Sequence, residues 1–187
     1  MAAAGDAPAS SPADPLAGGT AAAGVVGELA GRGQTLAAAE SLTAGLFCAT
    51  VAGVPGASAV LRGGLITYAT ELKETLAGVP ASTLREVGPV ASETARAMAA
   101  GARRRCGADW GIALTGVAGP DPQDGHGVGE VWCAIAGPPG RSHESGSSGD
   151  DGVVVKQLDL DPEAGRWGIR AGSVAAALDL LAEELAR

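Results

Sequence analysis

Ser41, Lys73 and Tyr68 are the side chains whose types and positions in this sequence could combine in nucleophilic chemistry. A serine hydroxyl attacks a carbonyl carbon when a base removes its proton, and a lysine amine becomes such a base once burial or a neighbouring cation lowers its pKa. A serine–lysine pair needs no histidine, and the two histidines, His126 and His143, both lie in glycine-rich loops. The spacing is not Ser-x-x-Lys, so the β-lactamase arrangement is not implied.

Lysine is the rare cation of this chain, because only Lys73 and Lys156 accompany eleven arginines among the 13 basic residues. Arginine cannot act as a base, whereas lysine can. Lys156 lies on a predicted hairpin strand, where we expect it to face solvent. Lys73 follows the second predicted strand, near the sheet edge where ligands bind in open α/β sheets. Lys73 is therefore a candidate base, and the alternative is an ordinary surface lysine in an exposed turn.

Residues 35–45 predict a strand that runs into the start of a helix, with Ser41 at the junction. Backbone N–H groups at a helix start are unpaired and favour negative charge. The Ser41 hydroxyl could cap that helix, which is the commoner use of a serine in this position. It could instead attack a carbonyl group whose oxyanion the free N–H groups then hold. The residues alone leave both interpretations open.

Two further features border the predicted site. Tyr68, the one tyrosine of the chain, either hydrogen-bonds or stacks beside the pair, or covers the core as a strand-end aromatic residue. A predicted strand over residues 110–114 enters a loop at 115–121, whose backbone N–H groups either approach an anion or form a plain tight turn. This loop matches neither the dinucleotide-binding pattern nor the Walker loop.

Predicted helices alternate with strands and end in a β-hairpin, which favours an α/β fold with a mixed sheet. Helices are predicted over residues 20–32, 42–52, 71–76, 81–87 and 93–105, and strands over 36–39, 61–68, 110–114, 128–136 and 153–160. A last helix follows the start signal at 161–163. Residues 1–22 are predicted to be a disordered Ala/Gly/Pro-rich tail, 23–187 a single domain, and 137–152 a mobile connection.

Composition limits the partners that we expect. The 187 residues are 46% hydrophobic, which is enough for one packed domain, and the net charge of −8 argues against a nucleic-acid-binding surface. Cys48, Cys106 and Cys133 are far apart, which suggests neither a disulfide framework nor a zinc site and agrees with reduced thiols. Without an apolar run of membrane-spanning length or a basic signal-peptide region, we expect a cytoplasmic protein that binds no membrane and needs no metal or cofactor.

Five motifs occur in the order that resembles the CinA C-terminal domain family, the nicotinamide mononucleotide deamidases also called PncC. The motifs are AESLTAG at 39–45, GLITY at 64–68 with Lys73, VASE at 90–93, TGVAGP at 115–120 and VGEVW at 128–132. The resemblance runs from about residue 25 to 185. It implies a three-layer α/β/α sandwich with a mixed, mostly parallel sheet. It also implies hydrolysis of the carboxamide of nicotinamide mononucleotide to nicotinate mononucleotide and ammonia, a reaction of pyridine nucleotide salvage.

The resemblance further implies Ser41 as the nucleophile, Lys73 as its base and Tyr68 beside them. It places the following residues at the substrate: Glu40, Thr43, Thr115, Gly116, Ala118, Gly119, Arg166 and Arg170. The loop at 115–120 is expected near the ribose-phosphate or the oxyanion, while the two arginines either hold phosphate or stabilise the fold. Family members often associate, so we expect a homo-oligomer, most simply a dimer.

The sequence departs from the family pattern in places that bear on specificity more than on chemistry. Ala69 and Thr70 stand where many members have a polar pair, Thr115 replaces a serine-type residue, and the connection at 137–152 is long. The pyrophosphatase-like domain of larger members is not expected in the residues before Val25. Two alternative functions remain: hydrolysis of a related pyridine nucleotide, and a catalytically silent nucleotide-binding or regulatory domain linked to competence or DNA-damage response.

Overall fold

A five-stranded mixed sheet with helices on both faces forms the core of the computed structural model, which describes residues 14–139 and 152–187. Its elements are α1 (Ala22–Arg32), β1 (Leu36–Glu40), α2 (Leu46–Ala52), β2 (Leu61–Ile66), α3 (Thr70–Thr75), α4 (Ala81–Glu86), α5 (Ser92–Cys106), β3 (Trp110–Gly116), β4 (Val131–Ala136), β5 (Val153–Leu158) and α6 (Gly165–Ala186). The predicted three-layer α/β/α fold is confirmed.

The strands lie in the order β2-β1-β3-β4-β5. Strand β1 pairs in parallel with both β2 and β3, whereas β4 is antiparallel to β3 and to β5. Four of these strands therefore run in one direction, but parallel and antiparallel pairs are equal in number. Because β1, β2 and β3 are parallel neighbours, their C-terminal ends meet at one edge of the sheet, which is where ligands bind in such folds.

The two faces of the sheet differ in the size of their side chains, because successive residues of a strand point to opposite sides. One face packs with α1, α2 and α6 and the other with α5. The first face carries Leu36, Ala38, Ile112, Leu114, Val131, Cys133 and Ile135, and the second carries Ala39, Ala113, Ala134 and Ala136. The alanine face brings α5 so close that a β-carbon on Gly111 would overlap the carbonyl oxygen of Ala99.

The predicted helix at 42–52 begins only at Leu46, and this is the difference that matters for the site. Ala44 has φ 49° and Gly45 has φ 96°, so two consecutive residues are left-handed and cannot belong to an α-helix. Residues 41–45 consequently form a turn. The small residues of this segment favoured a helix in the sequence analysis. A sequence pattern does not reveal the two positive φ angles.

Part of each predicted irregular segment lies outside the described residues. The residues outside the description are 1–13 of the expected tail and 140–151 of the expected connection. Residues 14–20 form turns, in which the Asp14 carboxylate accepts a 2.8 Å bond from Leu16 N and the Ala17 side chain packs against the core. None of the described helices is both long and apolar enough to span a membrane.

The tight contact of α5 yields a stability prediction. A β-carbon on Gly101 would overlap the carbonyl oxygen of Ala77, which is backbone and cannot move aside as a side chain could. We expect Gly101→Ala to lower the free energy of unfolding by about 1–3 kcal/mol through overpacking. The matched control is Gly27→Ala in α1, where no atom lies within 4 Å of the new β-carbon.

Because alanine favours helix over glycine, the control should keep or raise stability, by up to about 1 kcal/mol. Urea denaturation of both variants measures the difference. Equal stability of Gly101→Ala and the wild-type protein would contradict the close contact.

Candidate active site

A cleft lies at the edge of the sheet where the C-terminal ends of the parallel strands β1, β2 and β3 meet. Ser41 follows β1, Tyr68 follows β2, and Lys73 enters from α3. The loop after β3 contributes its backbone, and Arg166 enters from the first turn of α6. Three parallel strand ends and the first turn of α6 therefore bring together residues that are up to 125 positions apart along the chain.

Ser41 and Lys73 form a buried hydrogen-bonded pair at the bottom of this cleft. Lys73 Nζ lies 3.0 Å from Ser41 Oγ and donates a second bond of 3.0 Å to the carbonyl oxygen of Thr67. Only 2% of Lys73 and 8% of Ser41 is exposed. Burial lowers the Lys73 pKa to about 8, against the opposing charge of Glu71. An amine with this pKa is partly neutral near neutral pH and can accept a proton.

Glu40, rather than Ser41, holds the start of α2. Its carboxylate accepts backbone N–H bonds from Gly45 (2.9 Å), Phe47 (3.0 Å) and Cys48 (3.0 Å). The Ser41 hydroxyl is bonded to Lys73 instead, so the capping interpretation of Ser41 is wrong. Glu40 is fully buried and does not line the cleft. The carboxylate that was expected to contact substrate therefore organises the backbone behind the nucleophile.

Arg170 likewise has a backbone partner where a substrate contact was expected. Its guanidinium donates to the carbonyl oxygens of Leu42 (3.0 Å) and Thr43 (2.9 Å) and lies 6.0 Å from the centre of the Trp167 ring. Thr43 is fully buried, its hydroxyl has no partner among the described residues, and neither it nor Arg170 lines the cleft. Of the two alternatives for Arg170, the structure shows the structural one.

Arg166 joins two sides of the cleft entrance. It donates to the Tyr68 hydroxyl (2.8 Å) and to the carbonyl oxygen of Gly119 (2.6 Å). Tyr68 is 54% exposed and lines the cleft, so it does not cover the core. Because these three residues come from different elements, this chain of bonds fixes the position of an aromatic ring and a cation next to the pair.

The loop after β3 presents backbone to the cleft through Gly116, Ala118 and Gly119. Thr115 is fully buried, and its hydroxyl donates a 2.6 Å bond to the carbonyl oxygen of Pro89, so its proton is already used. The N–H groups of Ala118 and Gly119 have no acceptor within the described ranges. The same is true of the N–H groups of Leu42 and Thr43 behind Ser41. Leu42, Ala118 and Gly119 line the cleft, so their N–H groups are available to anionic ligand atoms.

Sequence reasoning missed Asp121 and Gln123, which also line the cleft. They follow the TGVAGP motif directly, so their position beside that loop was the signal that could have found them. Gln123 and His126 exchange two backbone hydrogen bonds, and His126 Nδ1 lies 2.9 Å from a carboxylate oxygen of Glu130. These bonds link the segment that carries the cleft residues to the residues directly after it. Across the described chain, no group of three or more His, Cys, Asp or Glu side chains could hold a metal ion.

These features define a three-layer α/β/α domain whose strand-end cleft contains a buried serine–lysine pair. The family model described as CinA C-terminal domain matches residues 19–185, so the chain belongs to that family. A "CinA-like protein" from Frankia casuarinae is 45% identical over 162 residues, which cover 87% of this chain and 34% of that protein. The chain spans about a third of the length of the curated relatives that it matches.

Solved structures of the same family show the same fold. The competence/damage inducible protein CihA from Agrobacterium tumefaciens has a TM-score of 0.79 at 29% identity, covering 95% of this chain and 99% of that chain. A competence-damaged protein (CinA) superfamily protein from Klebsiella pneumoniae has a TM-score of 0.80 at 26% identity, covering 92% of this chain and 99% of that chain. The fold that positions the cleft is therefore shared with both proteins.

Burial of Lys73 predicts how stability depends on pH. Its pKa is about 8 in the folded protein and 10.5 ordinarily, so between these values the unfolded chain binds a proton that the folded chain lacks. The free energy of unfolding due to this group therefore rises with pH from about 8 to about 10.5. Lys73→Met removes the titrating amine and should remove this rise.

Urea unfolding of both proteins at several pH values between about 7 and 10 measures the effect as a difference. Burial also raises the pKa of the Cys48 and Cys133 thiols. Both the wild-type protein and Lys73→Met contain these thiols, so their contribution cancels in the difference. At about pH 7 the free energy of unfolding should be larger for Lys73→Met than for the wild-type protein. This difference should become smaller as the pH rises. If the free energies of unfolding of the two proteins changed in parallel with pH, the lowered pKa of Lys73 would be contradicted.

Proposed function

We propose that this domain hydrolyses the carboxamide of nicotinamide mononucleotide to nicotinate mononucleotide and ammonia, with Ser41 as nucleophile and Lys73 as base. The observation that carries the proposal is the 3.0 Å contact between Ser41 Oγ and the buried amine of Lys73. Membership of the family supports the substrate, because the resemblance in sequence implies that reaction for the domain that this chain matches.

The first half of the reaction forms an acyl-enzyme. Neutral Lys73 accepts the Ser41 hydroxyl proton while Oγ bonds to the carboxamide carbon, and the carbonyl oxygen becomes an oxyanion. The free N–H group of Leu42, which lines the cleft directly after Ser41, is the donor that we assign to this oxyanion. The carbon–nitrogen bond then breaks, and the nitrogen leaves as ammonia with the proton held by Lys73.

The second half releases the product. A water molecule gives a proton to Lys73 and attacks the acyl carbon, and the ester bond to Oγ breaks as Ser41 recovers its proton. In this scheme the amine and the backbone N–H group of Leu42 supply both proton transfer and charge stabilisation. We therefore expect turnover to be independent of added metal ions.

The rest of the cleft suits a substrate with a charged aromatic ring at one end and a phosphate at the other. The exposed ring of Tyr68 offers a face on which a cationic heteroaromatic ring can stack. Arg166 and the free N–H groups of Ala118 and Gly119 offer donors to phosphate oxygens. We assign the phosphate to these groups because they line the cleft, and not to Arg170, which does not.

Ammonia release from nicotinamide mononucleotide tests the proposal. The wild-type protein should release ammonia with or without EDTA, and Ser41→Ala should release none while remaining folded. Lys73→Arg keeps the positive charge but removes the base, so it should lose activity by about 100-fold or more. Lys156→Arg is the matched control, because this exposed lysine on β5 is remote from the cleft and its substitution should leave activity unchanged.

Each outcome has a distinct meaning. Full activity of Lys73→Arg would exclude the base assignment. Binding of the mononucleotide without ammonia release would favour the silent nucleotide-binding alternative, and release from a related pyridine nucleotide only would move the proposal to that substrate.

A further inference from the structure

We propose that Glu40 is a positioning residue for catalysis. Its buried carboxylate holds residues 41–45 in the one shape that keeps Ser41 Oγ against Lys73 Nζ. This inference rests on the proposed role of Ser41 as nucleophile. It goes beyond that role by assigning the geometry of the nucleophile to a carboxylate that does not itself reach the cleft.

The carboxylate accepts three hydrogen bonds, all from backbone N–H groups. Both oxygens are used, one by Gly45 and Phe47 and the other by Cys48, at 2.9 to 3.0 Å. Hydrogen bonds to an ionised acceptor are stronger than those between neutral groups, and a buried donor that loses its acceptor is costly. The start of α2 consequently cannot move relative to the end of β1 without breaking three such bonds at once.

The turn between these two points has few bonds of its own, and Arg170 adds two from outside, to the carbonyl oxygens of Leu42 and Thr43. Its internal backbone bonds are Ala44 N to Ser41 O and Leu46 N to Thr43 O, both 3.1 Å. Against them stands the positive φ of Ala44, which costs free energy for any residue with a β-carbon. Such a conformation persists when its surroundings impose it. Glu40 imposes it at the helix end of the turn.

Glu40 also connects the two members of the pair through its main chain. Its carbonyl oxygen accepts a 2.8 Å bond from Thr67 N, and the carbonyl oxygen of Thr67 accepts the second bond of Lys73 Nζ. The side chain of Glu40 thus sets the turn that carries Ser41, while its backbone sets the residue that orients Lys73. A shift of about 1 Å between reacting groups can cost about 100-fold in rate.

A positioning role predicts a pattern that a purely structural role does not. Because Glu40 does not line the cleft, its loss should lower kcat and leave KM nearly unchanged. Glu40→Gln replaces one acceptor oxygen by a donor and should lower kcat by about 10- to 100-fold. Ala44→Gly added to this variant removes the penalty of the positive φ, so the turn can keep its shape without Glu40. We expect it to recover kcat at least about 3-fold.

Asp109→Asn is the matched control. The Asp109 carboxylate accepts bonds from Thr35 N and Thr35 Oγ1, both 2.8 Å, and so holds backbone at the opposite ends of β1 and β3. The substitution changes carboxylate to amide as Glu40→Gln does. It should lower stability and leave kcat per folded molecule unchanged.

The experiment measures two readouts on folded protein: ammonia release from nicotinamide mononucleotide, and the rate at which a fluorophosphonate labels Ser41 with loss of fluoride. Glu40→Gln should slow labelling by about 10-fold or more, and the rate should recover with Ala44→Gly. If Glu40→Gln does not fold, Glu40→Asp is used to test the positioning role. It keeps an anion at α2 but shortens the side chain, and it should slow labelling by about 3- to 10-fold.

Labelling separates failure of this inference from failure of the proposed function. A wild-type protein that is labelled at Ser41 but releases no ammonia refutes the substrate, and the variants still test Glu40. Labelling of the Glu40 variants at the wild-type rate, or loss of rate without recovery by Ala44→Gly, would overturn the inference. A wild-type protein that shows neither labelling nor turnover would overturn both.

Discussion

A buried amine that has no carboxylate hydrogen-bonded to it within the described residues is the constraint on which the site depends. Lys73 is 2% exposed, and its hydrogen-bond partners within the described chain are a hydroxyl and a carbonyl oxygen. Burying a charge that has no counter-ion is costly, and a lysine lowers that cost by giving up its proton. The fold therefore makes a base that is partly neutral near neutral pH from a residue that is normally a cation. A serine placed 3.0 Å from it has a proton acceptor without any histidine.

The low aromatic content of the sequence determines how the sheet around this pair is packed. With 3% aromatic residues, the sheet is packed on one face by branched aliphatic side chains and on the other by alanines. Small side chains allow α5 to approach the strands closely, which buries the alanines of β1, β3 and β4 on that side. The C-terminal ends of three parallel strands are left as the open edge. Chemistry-bearing residues collect there because each chain segment emerges from the sheet at that edge.

Much of this could be predicted from the sequence, for physical reasons that also explain the exceptions. The alternation of predicted helices and strands indicated an α/β fold with a mixed sheet, and the family resemblance implied its three layers. The strand–turn positions of Ser41 and Lys73 predicted their proximity. The roles of Glu40 and Arg170 could not be predicted, because they depend on two positive φ angles within residues 41–45 and on contacts between distant segments. A strand-end glutamate has the same local pattern whether it faces a substrate or the first turn of a helix.

The most direct test of the central claim is to trap the covalent intermediate. Wild-type protein mixed with nicotinamide mononucleotide is quenched in acid within the first turnover, digested and analysed by mass spectrometry. The account predicts a nicotinate mononucleotide ester on the peptide that contains Ser41 and on no other peptide. Ammonia release without an adduct at any time point within the first turnover would contradict nucleophilic catalysis by Ser41.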